Sequence, residues 1–160
     1  MMKMRNLSFI LILVSGLLFG GCSKSSDDNP ASPASKGTLS LKHDGQAWNA
    51  SLSVQGVNSN GVVNITGSDS NAGQGSIVVY QPTGPGTYKI GPGGNPGNMG
   101  RWTQGLEQKD SYVASSVLGS GEVTFTELSA TGAKGSFQFT GYNTDQASVV
   151  VTEGSFDVKF

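Results

Sequence analysis

From Gly37 to Phe160 the sequence alternates between apolar and polar residues, and turn-forming residues recur roughly every 8–12 positions. Successive side chains of a strand point to opposite faces, so this period of two selects half-buried antiparallel strands. No stretch of helical length carries a 3.6-residue period. Glycine supplies 24 of the 160 residues, and Ser, Thr and Asn are frequent. The expected fold is all-β: a single antiparallel β-sandwich, or flattened barrel, of about 8–11 short strands over residues 37–160. A chain of this length buries a sizeable single core.

Turn chemistry sets the registers. In TLSLKHDGQAWNASL, Asp44-Gly45 suits a two-residue type I′ turn, which takes positive φ at both positions. Pairing across it sets Leu41 against Trp48 and Leu39 against Ala50 on one face. Lys42 against Ala47 and Ser40 against Asn49 make the other face, mostly polar, as a half-buried hairpin requires. The same arithmetic in ASVVVTEGSFDVKF, with a turn at Glu153-Gly154, sets Val151 against Phe156, Val149 against Val158 and Ala147 against Phe160. Longer loops join GVVNITGS to GSIVVYQ, with Val63 and Ile65 beside Val79 and Ile77. They also join EVTFTEL to KGSFQFTG, with Val123 and Phe125 beside Phe139 and Phe137. GTYKI (86–90), GRWTQG (100–105) and SYVAS (111–115) add two or three short strands. GPGGNPGNMG, 91–100, reads as a long flexible loop. Long loops often carry function, so a ligand is expected near it.

The first residues read as an address. Lys3 and Arg5 precede an almost wholly apolar run, Leu7 to Phe19. A helix of about 13 residues spans ~20 Å, short of the ~30 Å hydrocarbon core, so the segment fits an export signal better than a membrane span. Gly20-Gly21-Cys22 resembles the lipobox of bacterial lipoproteins, although Phe19 stands where Leu is more usual. The resemblance implies cleavage between Gly21 and Cys22, a diacylglycerol on the Cys22 thiol and an acylated amino group. Palmitate-type chains would then hold the protein at the outer membrane, and two or more such chains anchor stably. Cys22 is the only cysteine, so an intramolecular disulfide is excluded. Residues 22–36 carry no large apolar side chain and read as a disordered tether. Asp27-Asp28 resembles the acidic export tag of surface-exposed lipoproteins of the Bacteroidetes. Removing residues 1–21 leaves eight basic residues against eleven acidic ones. With no Lys/Arg cluster, nucleic acid is not an expected partner.

Few residues offer chemistry. His43, the only histidine, sits beside a turn and next to Asp44, whereas a catalytic triad orients its imidazole from across a pocket. No set of His and Cys ligands suggests zinc, and neither a metal nor a cofactor is expected. Glu122 and Glu127 share a strand, but their odd spacing sends them to opposite faces unless a bulge intervenes. SDSNAGQG begins like a calcium loop at Asp69 and Asn71, but Gly73 takes the place of the third ligand and Tyr80 that of the bidentate Glu. A hairpin loop is the better reading. Trp48 faces inward by the register above. Trp102, Tyr112 and Tyr88 flank the irregular middle. They either pack beneath the loop, the reading we favour, or stand exposed to stack on a glycan or to anchor an interface with an envelope protein, which makes them the candidate ligand-binding residues.

Asp44-Gly45-Gln46-Ala47-Trp48, Ile65-Thr66-Gly67-Ser68, Gly86-Thr87-Tyr88 and Gly154-Ser155-Phe156-Asp157-Val158 together resemble small Bacteroidetes lipoproteins that carry a domain of unknown function. That resemblance implies a lipobox, one β-sandwich domain and no established activity. The leading expectation is a non-enzymatic, lipid-anchored binding or structural module at the outer membrane. A carbohydrate-binding accessory protein of a glycan-uptake system is the alternative, and a hydrolase the third reading.

Overall fold

The computed structural model describes residues 37–160. The expectations for the export signal, for cleavage at Gly21-Cys22, for lipidation of Cys22 and for the tether lie outside the described residues. Among those described, no helix is long and apolar enough to cross a membrane.

The chain forms eleven strands: β1 (Gly37–His43), β2 (Gln46–Asn49), β3 (Ser53–Ser59), β4 (Val62–Ser68), β5 (Gln74–Tyr80), β6 (Gly86–Ile90), β7 (Met99–Thr103), β8 (Ser111–Ala114), β9 (Ser120–Leu128), β10 (Gly132–Tyr142) and β11 (Ser148–Lys159). One antiparallel sheet holds them in the order β2-β1-β11-β10-β8-β7-β5-β4-β3. The sheet forks at β10. Its end, at Tyr142, pairs with β8, while Gly132's neighbours up to Thr140 pair with β9, which in turn carries β6. The long arm curls back over the other side, so the domain is a half-barrel and the expected all-β class holds. Two layers then meet across a shared core that includes Leu39, Leu41, Val63, Ile65, Phe125 and Val151. Glycine on one layer makes room for bulk on the other: a Cβ on Gly67 would lie 2.8 Å from Leu39 Cδ2.

The Asp44-Gly45 hairpin has the expected register, with Leu41 opposite Trp48 and Ser40 opposite Asn49. Both turn residues have positive φ, 49° and 81°. Val63 faces Val79 and Ile65 faces Ile77, also as expected.

Three expectations need correction. The C-terminal hairpin does not form: β11 is one strand of 12 residues. Glu153, at φ 49°, sits in a β-bulge where the register shifts against both neighbours, between Phe137 and Phe139 of β10 and between Ser40 and Lys42 of β1. A bulge inserts one residue and flips the parity of the strand beyond it. Val149 and Val151 before it, and Phe156 and Val158 after it, therefore share the core face without a chain reversal. The β9–β10 pair forms, but Val123 faces Phe137 and Phe139 faces Gly121, and a second bulge interrupts β9 between Phe125 and Glu127. A strand over 53–59 was not expected at all; it pairs with β4 across Asn60-Gly61, whose φ values are 51° and 77°.

The 91–100 segment is tied to the sheet near its end by Asn98. Asn98 is buried, its Oδ1 accepts from the Tyr80 N–H at 2.9 Å, and its Nδ2 donates to the Lys89 carbonyl at 2.8 Å. One side-chain amide thus ties β5 to β6 and satisfies buried backbone groups at both.

Candidate functional site

The sequence's candidate ligand-binding aromatics lie in the packing. Trp102, 1 % exposed, stacks on His43 with ring centroids 4.6 Å apart and meets the Trp48 ring edge-on at 5.0 Å. A tryptophan covered on one side by an imidazole and buried on the other offers no face to a sugar, so the exposed platform with Tyr112 is corrected. Tyr112, opposite Trp102 on β8, is half-buried and its hydroxyl accepts from Gln104 Nε2 at 3.4 Å. Tyr88 packs edge-on to Phe125. Its hydroxyl accepts from the Thr83 N–H at 3.0 Å and donates to the Gly84 carbonyl at 2.7 Å, bracing the turn before β6.

The remaining chemistry-bearing residues are tied into the fold. Asp44 Oδ1 accepts from the Val150 N–H at 3.0 Å, so that carboxylate serves β11 rather than His43. Asp69 accepts from Trp48 Nε1 at 2.7 Å and from the Asn71 and Gly73 N–H groups at 2.8 Å each. Burial pushes this carboxyl up, but the Trp48 indole and the two backbone donors outweigh it and hold it below its ordinary value. Three N–H donors aimed at one carboxylate close the hairpin loop and tie it to Trp48. Glu122 and Glu127 both face outward, because the β9 bulge cancels their odd spacing. Five residues along a strand separate them by roughly 16 Å, beyond the ~5–10 Å of a glycosidase pair.

What the fold assembles instead is an outward polar face on β6, β9, β10, β11, β1 and β2. Thr87 pairs with Thr124, Thr124 with Ser136, Ser136 with Ser155, Ser155 with Ser40, and Ser40 with Asn49. The row crosses six strands, roughly 24 Å at ~4.8 Å per step. Two of its contacts are direct hydroxyl bonds: Thr87 to Thr124 at 2.9 Å and Ser40 to Ser155 at 2.8 Å.

Longer side chains flank this row on both sides. On one side Lys89 pairs with Glu122, and Gln138 Nε2 donates to Glu122 Oε1 at 3.0 Å. Further along, Lys42 Nζ meets Glu153 Oε1 at 2.8 Å. On the other side Glu127 pairs with Lys134, which meets Asp157 at 3.3 Å. Short hydroxyls between long charged side chains make a shallow channel. It holds two hollows of about 260 and 400 Å³, both lined by Ser136.

The sequence model of a family described as a domain of unknown function, DUF6252, matches residues 35–158. The chain belongs to that family. No curated protein and no solved structure matches it. The match covers all eleven strands except the last residue of β11, so the outward channel lies wholly within the DUF6252 domain.

Proposed function

We propose that this chain is a lipid-anchored outer-membrane lipoprotein of the Bacteroidetes type, and that its DUF6252 domain is a non-enzymatic binding or structural module. The observation that carries the reading is the outward channel. It is wide, shallow and crosses six strands, and most of its charged groups are paired with one another. Catalytic sites gather titratable groups whose environments shift them, usually in a cleft. Here the carboxylate held below its ordinary value, Asp69, spends all three hydrogen bonds on its own loop and on Trp48. The lipobox-like Gly20-Gly21-Cys22 and the polar residues that follow it support an anchored domain held off the membrane, and Asp27-Asp28 supports its display at the cell surface.

The anchor is tested by labelling. Radiolabelled palmitate enters the parent chain and not Cys22→Ser, and globomycin leaves an uncleaved precursor. A Cys22→Ser chain that is processed and extracted like the parent would sink the anchor. Protease added to intact cells removes a surface-displayed domain; full protection would assign it to the periplasmic side.

A further inference from the structure

We infer that the hydroxyl channel binds an extended, uncharged polysaccharide lying across the strands. This rests on the binding-module reading and names its ligand class. The first ground is hydrogen-bond inventory. Each hydroxyl has one donor and two acceptor sites. In the Thr87–Thr124 and Ser40–Ser155 pairs one proton is used inside the pair, so each pair keeps one donor and spare acceptors for a ligand. Ser136, between them, makes no side-chain hydrogen bond among the described residues. A line of hydroxyls that still offers both donors and acceptors suits a ligand that does the same, which is the chemistry of a polyol chain.

The second ground is charge. The flanking rows carry three lysines (Lys89, Lys42, Lys134) against four carboxylates (Glu122, Glu153, Glu127, Asp157). The balance is −1, so the channel has no positive field to draw in a polyanion such as nucleic acid or a uronate polymer.

The third ground is shape. The row runs from β6, which pairs only with β9, to β2, the terminal strand beyond β1. Each end of the channel is thus a sheet edge with no further strand to block it, and a polymer can overrun it at both ends. A peptide of extended backbone adds to a sheet edge through its main chain and does not lie across the strands on a face. With no exposed aromatic on the row, hydrogen bonds alone set the affinity, and binding is weak per sugar and grows with chain length.

The test is native affinity electrophoresis of the full chain in detergent, in gels containing amylose, xyloglucan or galactomannan, with alginate as the charged control. At least one neutral polysaccharide should retard the protein and alginate should not. Thr124→Val/Ser136→Ala/Ser155→Ala, which keeps side-chain size on an outward face, should weaken retardation at least tenfold, with its thermal midpoint within a few degrees of the parent. Should that variant fail to fold, Ser136→Glu alone puts a charge at the centre of the row and should give the same loss. Tyr112→Phe, away from the channel, should leave retardation unchanged. Retardation by none of the neutral polymers, by alginate alone, or undiminished in the channel variants overturns the inference. A chain that is palmitate-labelled at Cys22 yet ignores every polysaccharide loses this inference and keeps the anchored-module reading.

Discussion

Asp44-Gly45 and Glu153-Gly154 are two acid–glycine pairs with opposite outcomes. In both, the acidic residue has φ 49°. At Asp44 the chain reverses; at Glu153 it runs on. The difference begins with the glycine. Gly45 is also left-handed, at φ 81°, and two such residues close a type I′ turn, whereas Gly154 is not among the positive-φ residues. The neighbours complete it. β11 has β1 on one side and β10 on the other, both continuous through the bulge. A hairpin there would forfeit the ladder bonds of two neighbours in exchange for one new pairing. An acid–glycine signal thus specifies one left-handed residue, and the sheet around it decides whether that residue turns the chain or bulges it.

Substitutions can break this comparison. The largest effect is expected at Gly154→Val. A Cβ there would lie 2.6 Å from the Phe137 ring and from the Phe137 carbonyl oxygen, so the bulge cannot accept a side chain. A loss of about 3 kcal/mol or more is expected in urea unfolding. A midpoint like the parent's would mean that β11 turns after all.

Asp69 comes next, as the acid that works through its carboxylate rather than its backbone. Asp69→Ala should cost roughly 2 kcal/mol, because it strands the buried Trp48 indole and two loop N–H groups. Because its folded pKa lies below the unfolded value, its contribution is fully present above about pH 4. It is lost as pH falls through the lowered folded value. Between pH 5 and pH 2 the parent should lose stability that Asp69→Asn does not lose; parallel curves for the two would remove the carboxylate from the account.

Gly45→Ala should cost about 1 kcal/mol. Nothing lies within 4 Å of a Cβ there, so only the left-handed backbone resists it. A cost equal to that of Gly154→Val would mean the two sites are limited by the same thing.

The smallest effect belongs to Glu153→Gly. Relief of left-handed strain is worth ~1 kcal/mol, and the lost exposed pair with Lys42 and the looser unfolded chain offset it. A net change within ~0.5 kcal/mol in calorimetry is expected; a loss above ~1.5 kcal/mol would make the ion pair the reason for the bulge.

The elements legible in the sequence are those whose partners lie close along the chain. Asp44-Gly45 and the Val63–Ile65 against Ile77–Val79 register follow from alternation and turn chemistry alone. β3 carried an equally good turn, Asn60-Gly61, but its alternation is erased at Gly56. A Cβ there would lie 2.7 Å from Val158 Cγ2, so that core position is filled from the opposite layer. A missing apolar residue in one strand was a present one in a strand a hundred positions away. The C-terminal parity change was visible, but a hairpin and a bulge produce the same parity, and only the neighbours of β11 separate them. Trp102 was legible as an aromatic beside a loop. Its burial depends on His43, which reaches it from a different arm of the sheet. The hydroxyl row was least legible, since its members come from six strands whose order is not that of the chain.

The position of β11 has a consequence in time. Among the described strands, β11 comes last in sequence yet lies between β1 and β10, and it supplies Val149, Val151, Phe156 and Val158 to the core. A chain that emerges N-terminus first can form its early hairpins, but β1 has no inner neighbour until Ser148–Lys159 is free. Closure of the sheet on the inner side of β1 therefore waits for β11, and long-range closures of this kind are slow. A chain synthesised only as far as β10 leaves that edge of β1 unpaired and the core without these four side chains.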